Sequence, residues 1–290
     1  MGLMTESVVG DFVPDGPLPT IVIQPAPPWP GINVGELWAN RELLLFLVWR
    51  DIKVQYAQTA LGAAWAVLQP LLTMLIFTVI FGRLAKIPSD GVPYSVFTLA
   101  ALIPWMYFSN AFSTASSSLV TSANLITKVY FPRLIIPIVS VLSGLVNFAV
   151  SCAVLALMMA WYHVSPSVLA LPMIPVLILI TILTATGVGC WLAAIYIQYR
   201  DVRHIVPFIV QIWMYVSPVV YPLSLVPERY RTLYALNPMA GIIQTFRVVL
   251  LRTGSVPWDI LGVSTIVAVL LFVTGALYYR RTEHLFADVA

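Results

Sequence analysis

The sequence predicts an all-α integral membrane protein. Six transmembrane helices follow an N-terminal amphipathic interface helix, and a short outer re-entrant helical hairpin precedes the last span. Three observations carry this. First, 60% of the 290 residues are hydrophobic and only 9% are charged, with a mean hydropathy of +0.92; a water-facing exterior of this size needs a far larger charged coat. Second, a helix needs about 20 apolar residues to cross a bilayer, and windows of that length, uncharged but for Asp259 at the start of the last, occur at 61–82, 94–117, 134–162, 168–196, 204–224 and 258–279. Third, the stretch Leu43–Pro70 joins a short apolar run to a charged turn and then to the first long window.

Residues 14–30 hold seven prolines, which remove backbone donors and fix φ, so residues 1–35 read as an extended cytoplasmic tail. The first apolar run begins past residue 40, and no secretory signal is expected. Residues 36–59 form the interface helix. Leu45, Trp49, Ile52 and Tyr56 recur at helical spacing on one face, with Arg50 and Asp51 on the other. Trp and Tyr suit the headgroup zone because each joins an apolar body to a polar tip. Residues 60–290 then form one six-span domain. Prolines inside several windows (Pro70, Pro104, Pro137, Pro175, Pro207, Pro218) are tolerated where neighbouring helices satisfy the freed carbonyls.

Orientation follows from Lys and Arg. With the N-terminus inside, nine basic residues fall on the inner face and six on the outer. Both termini are therefore expected in the cytoplasm. In the long outer connection, Pro227–Leu236 and Met239–Arg252 are two short helices separated by Asn237-Pro238. The second has an apolar face of Ile242, Ile243, Phe246, Val249 and Leu250, with Arg247 and Arg252 away from it. Neither piece spans, so residues 227–252 read as a hairpin closing an outer mouth; a loop resting on the surface is the competing account.

What is missing excludes function classes. Apart from Asp259 at the start of the last, the six windows contain no Asp, Glu, Lys or Arg, which disfavours an ion-coupled carrier. The chain has no P-loop, no HExxH and no GxSxG. Cys152 and Cys190 lie in apolar runs without disulfide or metal spacing. No catalytic residue, metal site or cofactor is expected on this chain, and a net charge of +3 without a basic patch gives no support for nucleic-acid binding. Uphill transport would need a motor on another chain.

Two regions are candidates for contact with a cargo or partner. Tyr94, Phe97, Trp105, Phe108 and Phe112 form an aromatic stripe along the second span, and Phe208, Gln211 and Tyr215 share a face of the fifth. Such surfaces stack on sugar rings and hydrogen-bond their hydroxyls, although the same spacing serves helix-on-helix packing. The inner connection Ser118–Arg133 has an apolar edge of Ile126, Val129 and Tyr130, while Asn124 and Lys128 share another. A short cytoplasmic helix of this type suits docking into a partner.

Several pieces in order resemble a known family. They are Arg50-Asp51-Ile52-Lys53…Tyr56…Thr59…Leu61-Gly62…Trp65…Pro70, then Lys128…Phe131-Pro132-Arg133, Tyr199-Arg200-Asp201-Val202, Ser217-Pro218…Tyr221 and Asn237-Pro238. Over residues 40–280 the chain is similar to the membrane subunit of ABC-2-type polysaccharide exporters, which carry O-antigen, capsular polysaccharide or teichoic acid. The resemblance implies a homodimer in a bacterial plasma (inner) membrane bound to two copies of a cytoplasmic P-loop ATPase that holds ATP and Mg. It implies a lipid-linked glycan as substrate. Docking then falls on Asn124, Lys128, Phe131 and Arg133. Arg50, Lys53 and Tyr56 become candidates for a lipid pyrophosphate or for the ATPase, and Asn237, Pro238 and Arg247 for the outer gate. The proline-rich tail departs from the family pattern. An ABC-2 exporter of a drug or lipid, and an integral-membrane enzyme of envelope-glycan assembly, are the alternatives.

Overall fold

A computed structural model describes residues 34–57, 64–126, 128 and 131–283. The proline-rich tail up to residue 33, the positions of Thr59, Leu61 and Gly62, and Val129 and Tyr130 lie outside the described residues. Within them the chain is helical throughout. Helix α1 (Val34–Ala39) breaks at Asn40, whose side-chain amide donates to the Glu36 carbonyl at 2.8 Å, and α2 (Arg41–Ala57) follows. Helix α3 (Ala64–Phe77) widens into a π-helical turn, Thr78–Leu84. Next come α4 (Tyr94–Thr121), the single turn α5 (Ala123–Ile126), α6 (Ile135–Ser143), α7 (Leu145–Trp161) and α8 (Ala170–Gln198). Helices α9 (Val202–Val216), α10 (Glu228–Tyr234), α11 (Pro238–Leu251) and α12 (Trp258–Thr282) complete the order.

Among the described residues, five segments are long and apolar enough to cross a bilayer: Ala64–Leu84, Tyr94–Thr121, Ile135–Trp161, Ala170–Gln198 and Trp258–Thr282. The third is broken at Gly144, where α6 ends and α7 begins. The bent pair α10–α11 makes a sixth if it is counted as one crossing. The window 204–224 is helical only as α9, 15 residues long. At 1.5 Å per residue that is about 22 Å, less than the hydrocarbon thickness. Its helix stops at Ser217-Pro218, because a residue before proline is pushed out of the helical region and Ser217 has ψ 149°.

The core is built on α4. Its apolar side chains interlock with α8, α11 and α6, and α8 lies along α12. The α8–α12 crossing is set by Gly187 and Gly275. A Cβ at Gly275 would stand 2.0 Å from the Gly187 carbonyl oxygen, and one at Gly187 would stand 2.5 Å from the Phe272 nitrogen. Only a bare backbone fits there, which is how helices approach closely when no water drives them together.

Candidate functional site

The hairpin differs most from expectation. Helices α10 and α11 are bent by 113°. Every residue of α11 is buried, Arg247 among them. The sequence placed Arg247 off the apolar face, at an outer mouth; instead its guanidinium is sealed inside the protein. Nε donates to the Phe97 carbonyl at 3.2 Å, Nη1 to that of Tyr221 at 3.1 Å and Nη2 to that of Val219 at 2.5 Å. The Phe97 ring lies 3.7 Å from the guanidinium carbon. The physical reason is the break after α9. Val219 and Tyr221 lie outside any helix, so their carbonyls lack the usual donor four residues on, and a forked cation supplies it.

Asn237 and Pro238 act where the hairpin bends. The Asn237 Oδ1 caps α11 by accepting from the Met239 N–H at 3.1 Å, and Pro238 occupies the first helical position, where no N–H is needed. The same oxygen accepts from Trp213 Nε1 at 2.8 Å, while Nδ2 donates to Ser217 Oγ at 2.9 Å. One side chain therefore joins α9, the break after it and the hairpin.

The aromatic stripe of α4 is packing, which corrects the pathway reading for four of its members. Phe97, Trp105, Phe108 and Phe112 are each 3% exposed or less, so no cargo reaches them. Trp213 of α9 covers two of them, its ring 4.9 Å from that of Phe108 and 6.2 Å from that of Phe112. Tyr94 is half-buried and donates to the Val220 carbonyl at 2.7 Å. Phe208, Gln211 and Tyr215 stand on the exposed side of α9.

What α4 does expose is polar. Asn110, Thr114 and Thr121 are exposed, and Ser109, Ser113 and Ser117 are partly so. Asn110 lies near the middle of the span. The hydroxyls donate back to their own helix, as Ser113 does to the Ser109 carbonyl at 2.7 Å and Thr114 to that of Asn110 at 2.9 Å. Their remaining lone pairs point outward. Acyl chains offer no hydrogen bonds, so this face is built for something polar. It forms one wall of a cavity of about 810 Å³ between the end of α2, α3, α4 and α7. Gln55, Gln69 and Asn147 contribute amides, and Trp65, Tyr107 and Phe148 contribute ring faces. Of this lining the sequence marks Tyr56 as a site residue and Trp65 and Pro70 as part of the family resemblance, and it marks none of the others. The run Ser109, Asn110, Ser113, at helical spacing inside an apolar window, was the signal for this wall.

Tyr56 donates to the Asn147 side-chain oxygen, tying the end of α2 to α7. Arg50 is paired with Asp51 at 2.8 Å, and Lys53 is exposed. Helix α2 is not amphipathic in the expected sense. Leu45 and Trp49 are exposed, whereas Leu47 is buried and Leu43, Leu44 and Val48 pack beside it onto the cluster of α6, Phe131, Cys190 and Tyr279. Both faces are apolar, one for protein and one outward.

Phe131 belongs to that cluster and is 6% exposed, which corrects its assignment as a docking contact. Arg133 is engaged by its own chain: Nη1 donates to the Glu283 carbonyl at 2.5 Å, and Tyr279 Oη donates to the Arg133 carbonyl at 3.0 Å. Arg280 adds ion pairs to Glu36 at 3.8 Å and Glu283 at 3.7 Å. Burial pushes the Glu283 carboxyl above its usual range, against the pull of Arg280 and Arg133. Asn124 and Lys128 remain on the surface. No group of three or more His, Cys, Asp or Glu that would hold a metal occurs among the described residues.

Comparison with known proteins accords with this geometry. Residues 42–251 match the family model described as ABC-2 type transporter. An O-antigen export system permease protein RfbA of Myxococcus xanthus is 30% identical over 86% of this chain and 96% of its own length. One of the same name from Klebsiella pneumoniae is 25% identical over 89% of this chain and 97% of its own. The polysialic acid transport protein KpsM of Escherichia coli is 24% identical over 82% of this chain and 92% of its own. The chain belongs to the ABC-2 type transporter family, as a multi-pass membrane subunit that transports rather than catalyses and relies on a separate ATPase.

Proposed function

We propose that this chain is the membrane-spanning subunit of an ATP-driven exporter that moves a lipid-linked polysaccharide of the cell envelope across a bacterial plasma membrane. The observation that carries the reading is the mid-span cavity lined by neutral amides, hydroxyls and ring faces. Sugars present hydroxyls that both donate and accept, and C–H faces that stack on aromatic rings. A hydrophobic drug or acyl chain needs neither, and would leave the amides of Gln69 and Asn110 without partners at cost. The names of the relatives point the same way.

In this reading two copies of the chain assemble with two copies of the ATPase, and both termini lie in the cytoplasm. The ATPase docks on the surface bearing Asn124 and Lys128. Phe131 and Arg133 anchor that surface to α6 and α12 and do not make the contact themselves. A lipid pyrophosphate rests at the level of Arg50 and Lys53, attracted by the exposed Lys53, while Arg50 is shared with Asp51. The cavity at Tyr56 then receives the sugars, and Phe208, Gln211 and Tyr215, on the exposed side of α9, line the path outside it. ATP closes the ATPases, and the docking surface transmits that closure to the spans. The test is transport of a lipid-linked glycan into vesicles carrying this chain and its ATPase. ATP-dependent accumulation is expected; movement that persists without ATP or without the ATPase would overturn the reading.

A further inference from the structure

The cavity also has a charge inventory, and family membership does not settle what that inventory admits. One matched relative is named for polysialic acid, a polyanion, so the class of glycan has to be argued from these residues. We infer that the cargo segment held between α3, α4 and α7 is electrically neutral: sugars bearing hydroxyl and acetamido groups, without carboxylate or phosphate. This rests on the glycan-export reading and narrows it.

Among the described residues, the cavity lining contains no Asp, Glu, Lys, Arg or His. Helices α4 and α7 carry no charged residue along their whole lengths, so none is poised a turn away from the wall. Arg247, the one buried cation among the described residues, is already committed to the carbonyls of Phe97, Val219 and Tyr221. On α2, Arg50 is occupied by Asp51 at 2.8 Å, and Lys53 is exposed and outside the lining. A carboxylate entering this space loses water and meets no compensating charge, which is the costly case. Neutral hydroxyls lose water too, but Gln69 and Asn110 each offer both a donor and an acceptor in return, and Asn147, whose oxygen accepts from Tyr56, offers its Nδ2 donor. The inventory fits a neutral sugar and penalises an acidic one.

The test compares two polyprenyl-diphosphate-linked oligosaccharides of equal length in proteoliposomes holding this chain and its ATPase. One is built from neutral hexoses and N-acetylhexosamines; the other replaces alternate hexoses with hexuronic acids. The neutral glycan is expected to move at least about tenfold faster. In Asn110→Lys the ratio is expected to fall toward one or invert, because an ammonium then faces the cargo; Val120→Lys, exposed on the same helix but outside the lining, should keep the parent ratio. Equal rates for both glycans in the parent protein would overturn the neutral-cargo inference while leaving glycan export standing. If neither glycan moves with ATP, glycan export itself falls, and this inference with it.

Discussion

Replacing Arg247 with methionine tests whether the hairpin is held by its buried cation. Methionine keeps most of the volume and removes every donor. Of the three carbonyls left behind, Phe97 lies inside α4 and keeps a helical donor. Val219 and Tyr221 do not, because they lie in the break after α9. Orphaning a buried polar group costs about 1–3 kcal/mol, so the two together set the loss at about 2–6 kcal/mol. Relief of the guanidinium's own desolvation pulls the net toward the lower half of that range. Arg247→Lys should fall between, since an ammonium keeps the charge but not the fork that reaches three oxygens. The assay is unfolding in mixed detergent micelles, paired with amide hydrogen exchange of residues 217–251. Exchange should rise in the hairpin first, because its anchor rather than the α8–α12 core has been cut. An Arg247→Met protein within about 0.5 kcal/mol of the parent, with unchanged exchange there, would refute the reasoning.

Asn237→Ala should lose about 2–4 kcal/mol, since it removes a helix cap and the acceptor for Trp213; Asn237→Asp keeps that acceptor and should recover most of it, as read by the same unfolding assay. Gly275→Val should prevent α12 from seating on α8, because even a Cβ falls 2.0 Å from the Gly187 oxygen; the check is the fraction recovered as a monodisperse peak after detergent extraction, with Gly262→Ala, where a Cβ meets nothing within 4 Å, as the control. Lys128→Glu should weaken co-purification of the ATPase at least about tenfold while leaving membrane insertion intact, since the side chain is exposed and charge reversal turns attraction into repulsion. Arg133→Glu should instead lower the stability of this chain alone, by setting a carboxylate against Glu283.

The spans were legible because crossing a bilayer demands a length and an apolarity that nothing else imposes on a sequence. The aromatic stripe of α4 was ambiguous for an equally physical reason. Packing against another helix and lining a passage both require large side chains every three or four residues, and only the position of α9, with Trp213 laid across Phe108, separates the two. The polar face of α4 stood in plain view at Ser109, Asn110 and Ser113. Its meaning depended on being left uncovered, and coverage is tertiary. Arg247 was illegible in a deeper way. Its role is fixed by carbonyls 26 and 28 residues away, and backbone oxygens carry no signature in the one-letter code.

Helix α12 reaches from one membrane face to the other as an unbroken rod of 25 residues, about 38 Å long. One end is clamped by Arg133, Arg280 and Glu283, next to the surface bearing Lys128. Near the other end, Ser264 Oγ donates to the Ala235 carbonyl at the elbow of the bent pair, 3.0 Å away. Such a rod is a lever with a load at each tip. A tilt of about 5° at the clamped end carries the far tip about 3 Å, more than a hydrogen bond can stretch. A push on one face of the membrane therefore has a stiff mechanical route to the elbow on the other, and proline or paired glycines introduced midway along α12 would turn that lever into a hinge.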